Sequence, residues 1–265
     1  MNCAVCGSPT EHLFHRKGGH EVVTCPSCGS QQIVHKETLK ELEVLEDGYY
    51  ESKDRKRLKG FDRHPRWDRE VQIINMLKPA GGKLLDIGCG SGDFIMGLDD
   101  RWEKLGIEPH DKRAEIARSR GLEILDVEFH EADLRQEFDV VALYEVIEHL
   151  IEFNTTIDGI SSILKKGGLF VLSTPDMESV SARLRGLDWW SYKNPVHLFF
   201  FGHKNLTRIL NKKGFRVLLK RYNLQGNQFQ NPFLMWLQFL LEDNLPLYRR
   251  LPIGDRMFMY CRKES

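Results

Sequence analysis

The sequence predicts an α/β protein that combines a mostly parallel sheet with a small cysteine-rich module at its N-terminus. Two observations lead to this prediction. Strand-like and helix-like segments alternate between residues 84 and 174, which is typical of a parallel sheet with helices on both faces. Four of the six cysteines lie within the first 28 residues, in two C-x-x-C pairs. The 265 residues suffice for one catalytic domain and a small additional module.

The cysteine pairs have the spacing of a zinc site. They form the pattern C-x2-C-x18-C-x2-C, and a glycine follows the second cysteine of each pair. The four cysteines of the pattern are Cys3, Cys6, Cys25 and Cys28. Because the first residues lack the apolar segment of a secretory signal peptide, metal binding is favoured over disulfides. Four thiolates complete a tetrahedral site, so we expect a structural zinc ribbon over residues 1–35, with His12, His15 and His20 as surface residues.

Helical periodicity continues after the ribbon. Leu39, Leu42 and Leu45 predict a short helix within residues 36–50, and the apolar positions of Trp67–Leu77 predict a second helix, which Pro79–Gly82 ends. Between them lies the basic run Lys53–Arg69, with eight Lys or Arg and three Asp. This run is either a patch that faces nucleic acid or phosphate, or a solvated linker, and we favour the linker.

A glycine-rich turn follows the first strand of the core. Leu84–Ile87 is apolar, and the pattern D-x-G-x-G-x-G begins at Asp86. Its glycines are Gly88, Gly90 and Gly92. Glycine permits positive φ and lets a ligand lie against the backbone, so the turn predicts a nucleotide-type site, with an ordinary strand-to-helix turn as the alternative. The dinucleotide fingerprint would need a third glycine at position 93, which is Asp93.

The remaining core elements follow from periodicity and from turn residues. Strands are expected at 104–108, 123–128, 138–143 and 168–174, and helices at 92–100, 111–120 and 152–164. Beyond the core we expect a helix at 204–213, strands at 215–223 and 257–262, and an apolar helical insertion at 228–250. Glu108, Glu128–Phe129 and Tyr144–Glu145 end successive strands, and ligands of parallel sheets bind at those ends. Glu108 is placed to accept hydrogen bonds from both ribose hydroxyls of an adenosyl group.

Charge and hydropathy limit the partners. Lys+Arg and Asp+Glu both number 38, which argues against a dominant surface for polyanions. The most apolar stretch, Phe233–Leu241, is too short to span a bilayer. We therefore expect a soluble cytoplasmic protein for which nucleic acid is a disfavoured partner, and the oligomeric state stays open.

Together these segments resemble bacterial class I S-adenosylmethionine (SAM) dependent methyltransferases that carry an N-terminal zinc ribbon. The resemblance extends over nearly the whole chain and includes LDIGCGSGDF, GIEPH, FDVVALYEVIEHL, KKGGLFVLSTPD and PVHLFFF. It implies a Rossmann-like sheet of seven mostly parallel strands within residues 81–265, after a helical linker at 36–80. It also implies that SAM is bound by Asp86, Gly88, Gly90, Gly92, Glu108, Phe129 and Tyr144. Relatives of this type often modify sugars, nucleotide-linked sugars, polysaccharide precursors or natural products.

The resemblance implies methyl transfer from SAM to a hydroxyl of a sugar, a nucleotide-sugar or another small molecule. A hydroxyl acceptor needs a base near neutral pH, and histidine is well suited. His197 is the first candidate and His149 the second, with a pocket-shaping histidine as the alternative for each. The aromatic residues Trp189, Trp190 and Tyr192 either cover the acceptor or bury a helix edge.

Two other functions stay open. The ribbon and the basic run favour an RNA base methyltransferase, whereas the neutral charge and the presence of LYEV instead of an N/D-P-P-Y tetrad argue against it. A non-catalytic SAM-binding module is the third candidate. The intact glycines and Glu108 argue against that function.

Overall fold

A computed structural model describes residues 2–10, 12–15, 21–34, 67–135, 137–223 and 254–264, with the backbone alone for 12–15. The predicted helices at 36–50 and 228–250 and most of the basic run lie outside these residues. The strands of the described part are β1 His12–His15, β2 Glu21–Thr24, β3 Gln31–Ile33, β4 Gly82–Ile87, β5 Trp102–Ile107, β6 Glu123–Leu125, β7 Phe138–Tyr144, β8 Leu164–Pro175, β9 Phe199–Phe200, β10 Phe215–Asn223 and β11 Arg256–Lys263. The α-helices there are α1 Asp68–Leu77, α2 Asp111–Ser119, α3 Phe153–Ile163, α4 Val180–Arg185 and α5 His203–Lys212.

The main sheet of the described chain has seven strands in the order β10-β11-β8-β7-β4-β5-β6. β4 pairs in parallel with β5 on one side and with β7 on the other, and β5 pairs in parallel with β6. The strand order therefore reverses between β4 and β7, which is where open α/β sheets bind ligands. The predicted seven-stranded, mostly parallel sheet is confirmed.

The described residues fall into two compact units. One contains the described residues of 1–34, 145–154 and 172–262, and we call it the ribbon unit. The other contains those of 35–144, 155–171 and 263–265, and we call it the glycine-turn unit. None of the described helices is long and apolar enough to cross a membrane.

The core of the glycine-turn unit lies along β4 and β7. Leu84 and Leu85 of β4, and Val140 and Val141 of β7, are completely buried. Both strands contain buried apolar runs, Leu84–Leu85 and Val140–Leu143, as is typical of a parallel sheet that is covered on both faces. Asp86, which lies opposite Gly106 and Ala142 in the sheet, is the one acidic interruption of β4.

Three predicted elements differ from the structure by more than two residues. The helix expected at 92–100 is a single 3-10 turn, Ile95–Gly97, because Gly92 has a φ of 81° and Leu98 returns to an extended conformation. The strand expected at 123–128 ends at Leu125, and the strand expected at 168–174 already begins at Leu164.

The ribbon unit contains an antiparallel sheet that the sequence predicted only in part. β2 pairs with β1 and β3, as expected for a ribbon, but β3 also pairs with β9, which lies far along the chain. Gln31 is opposite Phe200 in this pairing. An apolar core closes beneath the sheet and contains Val22, Ile33, Ala182, Trp189, Tyr192 and Phe200.

Candidate cofactor, metal and catalytic sites

The glycine turn is anchored to the strand beside it. The N–H groups of Gly88 and Cys89 both donate to the carbonyl of Ile107 in β5, at 2.8 and 3.0 Å. Gly88, Gly90 and Gly92 have φ values of 70°, 59° and 81°, a region that side-chain-bearing residues rarely adopt. The sequence pattern therefore predicted the backbone conformation of the turn correctly.

Two of these glycines are required for different reasons. A Cβ on Gly92 would collide with Cδ1 of Leu122, so Gly92 lets the turn pack against its own unit. A Cβ on Gly90 would have no other described atom within 4 Å. Among the described residues, Gly90 thus leaves space beside its backbone, which is what a ligand lying against the turn needs.

Glu108 faces the glycine turn from the end of β5. It is 5% exposed, and its two carboxylate oxygens accept from the N–H groups of Gly90 at 2.7 Å and of His110 at 3.1 Å. Burial raises the pKa of Glu108. Burial also raises the pKa of Asp86, and the nearby negative charge of Glu108 raises it further. The structure thus brings together Asp86, Glu108 and the turn glycines.

An ion pair that sequence reasoning missed holds the far side of the turn. Nη1 of Arg120 lies 2.7 Å from the carboxylate of Asp93 and donates to the carbonyl of Ser91 at 2.8 Å. Arg120 follows α2, 27 residues after Asp93, and no local pattern links the two.

The other two predicted cofactor residues lie in different surroundings. Tyr144 ends β7 and packs its ring against Phe94 at 4.8 Å and against Trp67 at 4.9 Å. Phe129 instead lies over Gly159 of α3, where an added Cβ would be 3.0 Å from the Phe129 ring. Phe94 follows the glycine turn directly, so the fold brings Tyr144 beside this turn.

The four ribbon cysteines converge on one point. Their Sγ atoms all lie within 4.8 Å of one another, with Cys3–Cys28 at 3.7 Å and Cys6–Cys25 at 3.5 Å. A tetrahedral zinc ion with Zn–S bonds of about 2.3 Å separates its sulfurs by about 3.8 Å. The arrangement therefore fits a four-thiolate zinc ion.

The two C-x-x-C turns have nearly the same backbone. Cys3 donates to the carbonyl of Ser8 at 2.9 Å, and Cys25 donates to that of Ser30 at 2.9 Å. Gly7 and Gly29 share a φ of 75°. The hydrogen bond with Cys28 lowers the pKa of Cys3, which favours the thiolate form that zinc binds.

The predicted histidines meet in the ribbon unit. The rings of His149 and His197 pack edge to face at 4.9 Å. Nδ1 of His149 lies 2.8 Å from the carbonyl of Val196, and Nδ1 of His197 lies 2.8 Å from the hydroxyl of Ser191. Each ring is therefore held through the same nitrogen.

Two glutamates that precede His149 complete this cluster. Glu148 is 1% exposed, and burial, reinforced by the charge of Glu145, raises its pKa well above the usual range. Glu145 has a φ of 58°, accepts from Ser173 at 2.7 Å and pairs with Arg256 at 2.6 Å. The sequence pattern EVIEH contains both carboxylates, but sequence reasoning assigned a catalytic role only to the histidine and did not single out Glu148.

The aromatic residues near His197 serve mainly as core. Trp189 is completely buried, and the hydroxyl of Tyr192 donates to Gln31 at 2.7 Å. These two residues thus lie in the core beneath the ribbon sheet. Trp190 is less buried, lies 5.7 Å from the His197 ring and donates to Asp255 at 2.7 Å.

A family model described as "Methyltransferase domain" matches residues 61–220, more than half of the chain. The chain belongs to this family. Family membership and the observed sheet agree with the predicted resemblance to class I SAM-dependent methyltransferases.

Curated relatives of this methyltransferase-family chain include ubiquinone biosynthesis O-methyltransferases. The Nitrobacter winogradskyi protein is 28% identical over 116 residues, which are 41% of this chain and 44% of that protein. The Stutzerimonas stutzeri protein is 31% identical over 134 residues, which are 42% of this chain and 58% of that protein. The chain thus spans about half the length of the curated relatives it matches.

Solved structures share the fold of this methyltransferase-family chain. A possible histamine N-methyltransferase from Thermotoga maritima has a TM-score of 0.55 at 18% identity, covering 84% of this chain and all of that one. The 1,6-didemethyltoxoflavin-N1-methyltransferase of Burkholderia thailandensis, solved with 1,6-didemethyltoxoflavin and S-adenosylhomocysteine, has a TM-score of 0.58 at 13% identity. That match covers 96% of this chain and 100% of the other.

Proposed function

We propose that this protein transfers a methyl group from SAM to a hydroxyl of a small-molecule acceptor. The observation that carries the proposal is the glycine turn, where Gly90 exposes its backbone and hydrogen-bonds the buried Glu108. Family membership supports methyl transfer. The names of the curated relatives, which are O-methyltransferases of ubiquinone biosynthesis, support an oxygen acceptor.

Each predicted cofactor residue has a task in this proposal. Gly88, Gly90 and Gly92 let the cofactor lie against the backbone, and Asp86 supports the turn from β4. Glu108 accepts hydrogen bonds from N–H groups in this structure, and the same oxygens would accept them from ribose hydroxyls. Tyr144 and Phe129 would border the nucleoside. When bound, SAM supplies a methyl group that is already electrophilic, so the protein has to orient the acceptor and exclude water.

The acceptor hydroxyl must lose its proton, and we assign this step to the histidine pair of the ribbon unit. His197 is the proposed base and His149 the second candidate. Because the carbonyl of Val196 can only accept, Nδ1 of His149 carries hydrogen and the lone pair lies on Nε2. The hydroxyl of Ser191 lies 2.8 Å from Nδ1 of His197, and in the tautomer that the base requires, Nδ1–H donates to this hydroxyl. The pair follows β7 and β8 in the chain, and ligands of such sheets bind where parallel strands end.

The ribbon has a structural task in the proposal. Residues 1–35 would hold one zinc ion through four thiolates, which leave no open position for catalysis. β3 pairs with β9, which begins two residues after His197. Residues 36–80 would link the ribbon to the methyltransferase domain at 81–265.

Within the small-molecule class, the acceptor that we propose is a sugar or a nucleotide-sugar.

A transfer assay tests the function. Purified protein and methyl-labelled SAM are mixed with extract fractions that contain RNA, sugar nucleotides, polysaccharides or other small molecules. We expect label in a small-molecule or sugar fraction, and loss of that label in Glu108→Ala. Label in RNA would refute the proposal in favour of an RNA methyltransferase. SAM binding without transfer to any fraction would favour a non-catalytic module.

A further inference from the structure

Glu148, His149 and His197 form a group of metal-ligand side chains inside the ribbon unit. One ligand atom from each residue lies within 4.8 Å of the others. Glu148 and His149 are neighbours in the chain, whereas His197 comes from a segment almost fifty residues later. The N–H groups of Leu198 and Phe199 donate to the carbonyl of Glu148 at 2.8 and 3.0 Å, which fixes the two segments together.

The carboxyl group of Glu148 is the unexplained member of this group. It is 1% exposed, and neither of its oxygens has a well-directed hydrogen bond from the described residues. The hydroxyl of Thr174 lies near enough to favour the charged form, but it too is buried without a well-directed bond. Leaving a buried carboxyl group in this state costs free energy, and a cation between Glu148 and the two imidazoles would stabilise its carboxylate form.

The histidine rings are held as metal-bound histidines usually are. Nδ1–H of His149 donates to the Val196 carbonyl at 2.8 Å, and metal ligands commonly donate their second ring N–H to a carbonyl in this way. The hydroxyl of Ser191 holds Nδ1 of His197 at the same distance. Because both Nδ1 atoms are engaged in these contacts, we assign Nε2 of each ring as the ligand nitrogen.

A second group with similar composition does not share these features. Asp176, Glu178 and His203 also bring their ligand atoms within 4.8 Å of one another. However, Oδ1 of Asp176 accepts from the N–H groups of Glu178 and His203 at 2.8 and 3.1 Å, and Oδ2 faces Nδ1 of His203 at 2.8 Å. These contacts begin α5 and satisfy the carboxylate without an ion.

We propose that Glu148, His149 and His197 bind one divalent cation, and that its open coordination positions take oxygen atoms of the methyl acceptor. Two imidazoles and one carboxylate suit ions such as Mn²⁺, Fe²⁺ or Zn²⁺ and leave positions open for substrate. Glu145 is not counted as a ligand, because Arg256 and Ser173 hold its carboxylate. The favoured acceptor carries a second oxygen beside the hydroxyl, since two adjacent oxygens chelate an ion.

This inference rests on the proposed function and replaces the histidine base of its proton step by a metal-bound hydroxyl. A divalent ion acidifies a coordinated hydroxyl, as it does a coordinated water, and the proton leaves to solvent. The oxygen electron pair forms the new bond to the methyl carbon, and the carbon–sulfur bond breaks with its electrons on sulfur. The products are the methyl ether, the neutral thioether and one proton. With the ion bound, His149 and His197 are ligands rather than bases.

Manganese binding tests the site directly. The full chain with its ribbon zinc in place is titrated with Mn²⁺, and free Mn²⁺ is followed by electron paramagnetic resonance. We expect one site per chain, weakened at least ~tenfold in Glu148→Gln and in His197→Gln. Glu178→Gln, from the second group, serves as the control and should bind like the wild type. Unchanged melting temperatures without added metal would show that the variants fold.

Several results would overturn the inference. These are the absence of saturable Mn²⁺ binding, undiminished binding by Glu148→Gln, and a loss of binding in Glu178→Gln. Methyl transfer at the full rate in a chelator that leaves the ribbon zinc in place would also overturn it, while the proposed function would stand. Mn²⁺ binding that depends on Glu148, without transfer to any hydroxyl acceptor, would support the site and refute the proposed function.

Discussion

Replacing Gly90 by alanine separates cofactor binding from folding. Gly90 has a φ of 59°, and a side chain in this left-handed region costs about 1–2 kcal/mol. Its Cβ would meet no described atom within 4 Å, so the loss of stability should stop there. If SAM lies against this backbone, the new methyl group also intrudes on the ligand. An overpacking penalty of about 1–3 kcal/mol then weakens SAM binding by about 5- to 150-fold.

Gly121→Ala is the matched control for this experiment. Gly121 has a φ of 83°, its Cβ would also meet no described atom within 4 Å, and it lies in the turn between α2 and β6. Urea unfolding should show a similar loss of about 1–2 kcal/mol in both variants, whereas calorimetric titration should show weaker SAM binding only in Gly90→Ala. Equal SAM affinities in the two variants would refute the placement of the cofactor on Gly90.

Three further variants test other parts of the structure. Burial raises the pKa of Asp86 in the folded state, so the stability of the wild type should fall as pH rises above 3.8, and Asp86→Asn should flatten this pH dependence of the free energy of urea unfolding. Equal slopes of unfolding free energy against pH in the two proteins between pH 5 and 8 would contradict this. Cys25→Ser should abolish stoichiometric zinc binding, as measured by atomic emission, and should reduce the hydrogen-exchange protection of β9. Cys261 lies outside the ribbon, so the control Cys261→Ser should retain the zinc. Arg120→Ala removes the guanidinium that contacts Asp93 and the Ser91 carbonyl, and should lower the free energy of unfolding by about 1–3 kcal/mol. An unchanged urea midpoint would show that these contacts do not stabilise the turn.

The ribbon shows how a local pattern and a distant contact combine. The cysteine spacing and the following glycines predicted two tight turns, and the structure has both turns with φ values of 75° at Gly7 and Gly29. The pairing of β3 with β9 was not predictable, because a two-residue strand carries almost no periodic signal. For the same reason, the burial of Trp189 and Tyr192 beneath the ribbon sheet became clear only from the fold.

The sequence by itself determined the features that depend on residues close together in the chain. Positive φ at Gly88, Gly90 and Gly92 follows from residue type, and the position of Glu108 follows from the end of an apolar strand. Such features are local because backbone sterics and strand periodicity act over a few residues.

The tertiary structure alone decided which distant side chains meet. It placed Arg120 on Asp93, and it brought His197 to Glu148 and His149 through backbone hydrogen bonds from Leu198 and Phe199. These contacts join residues that are 27 or more positions apart, and nothing in the local sequence encodes where the chain returns. The return is set by packing of the whole core, since the burial of many apolar side chains together fixes the path of the segments between them.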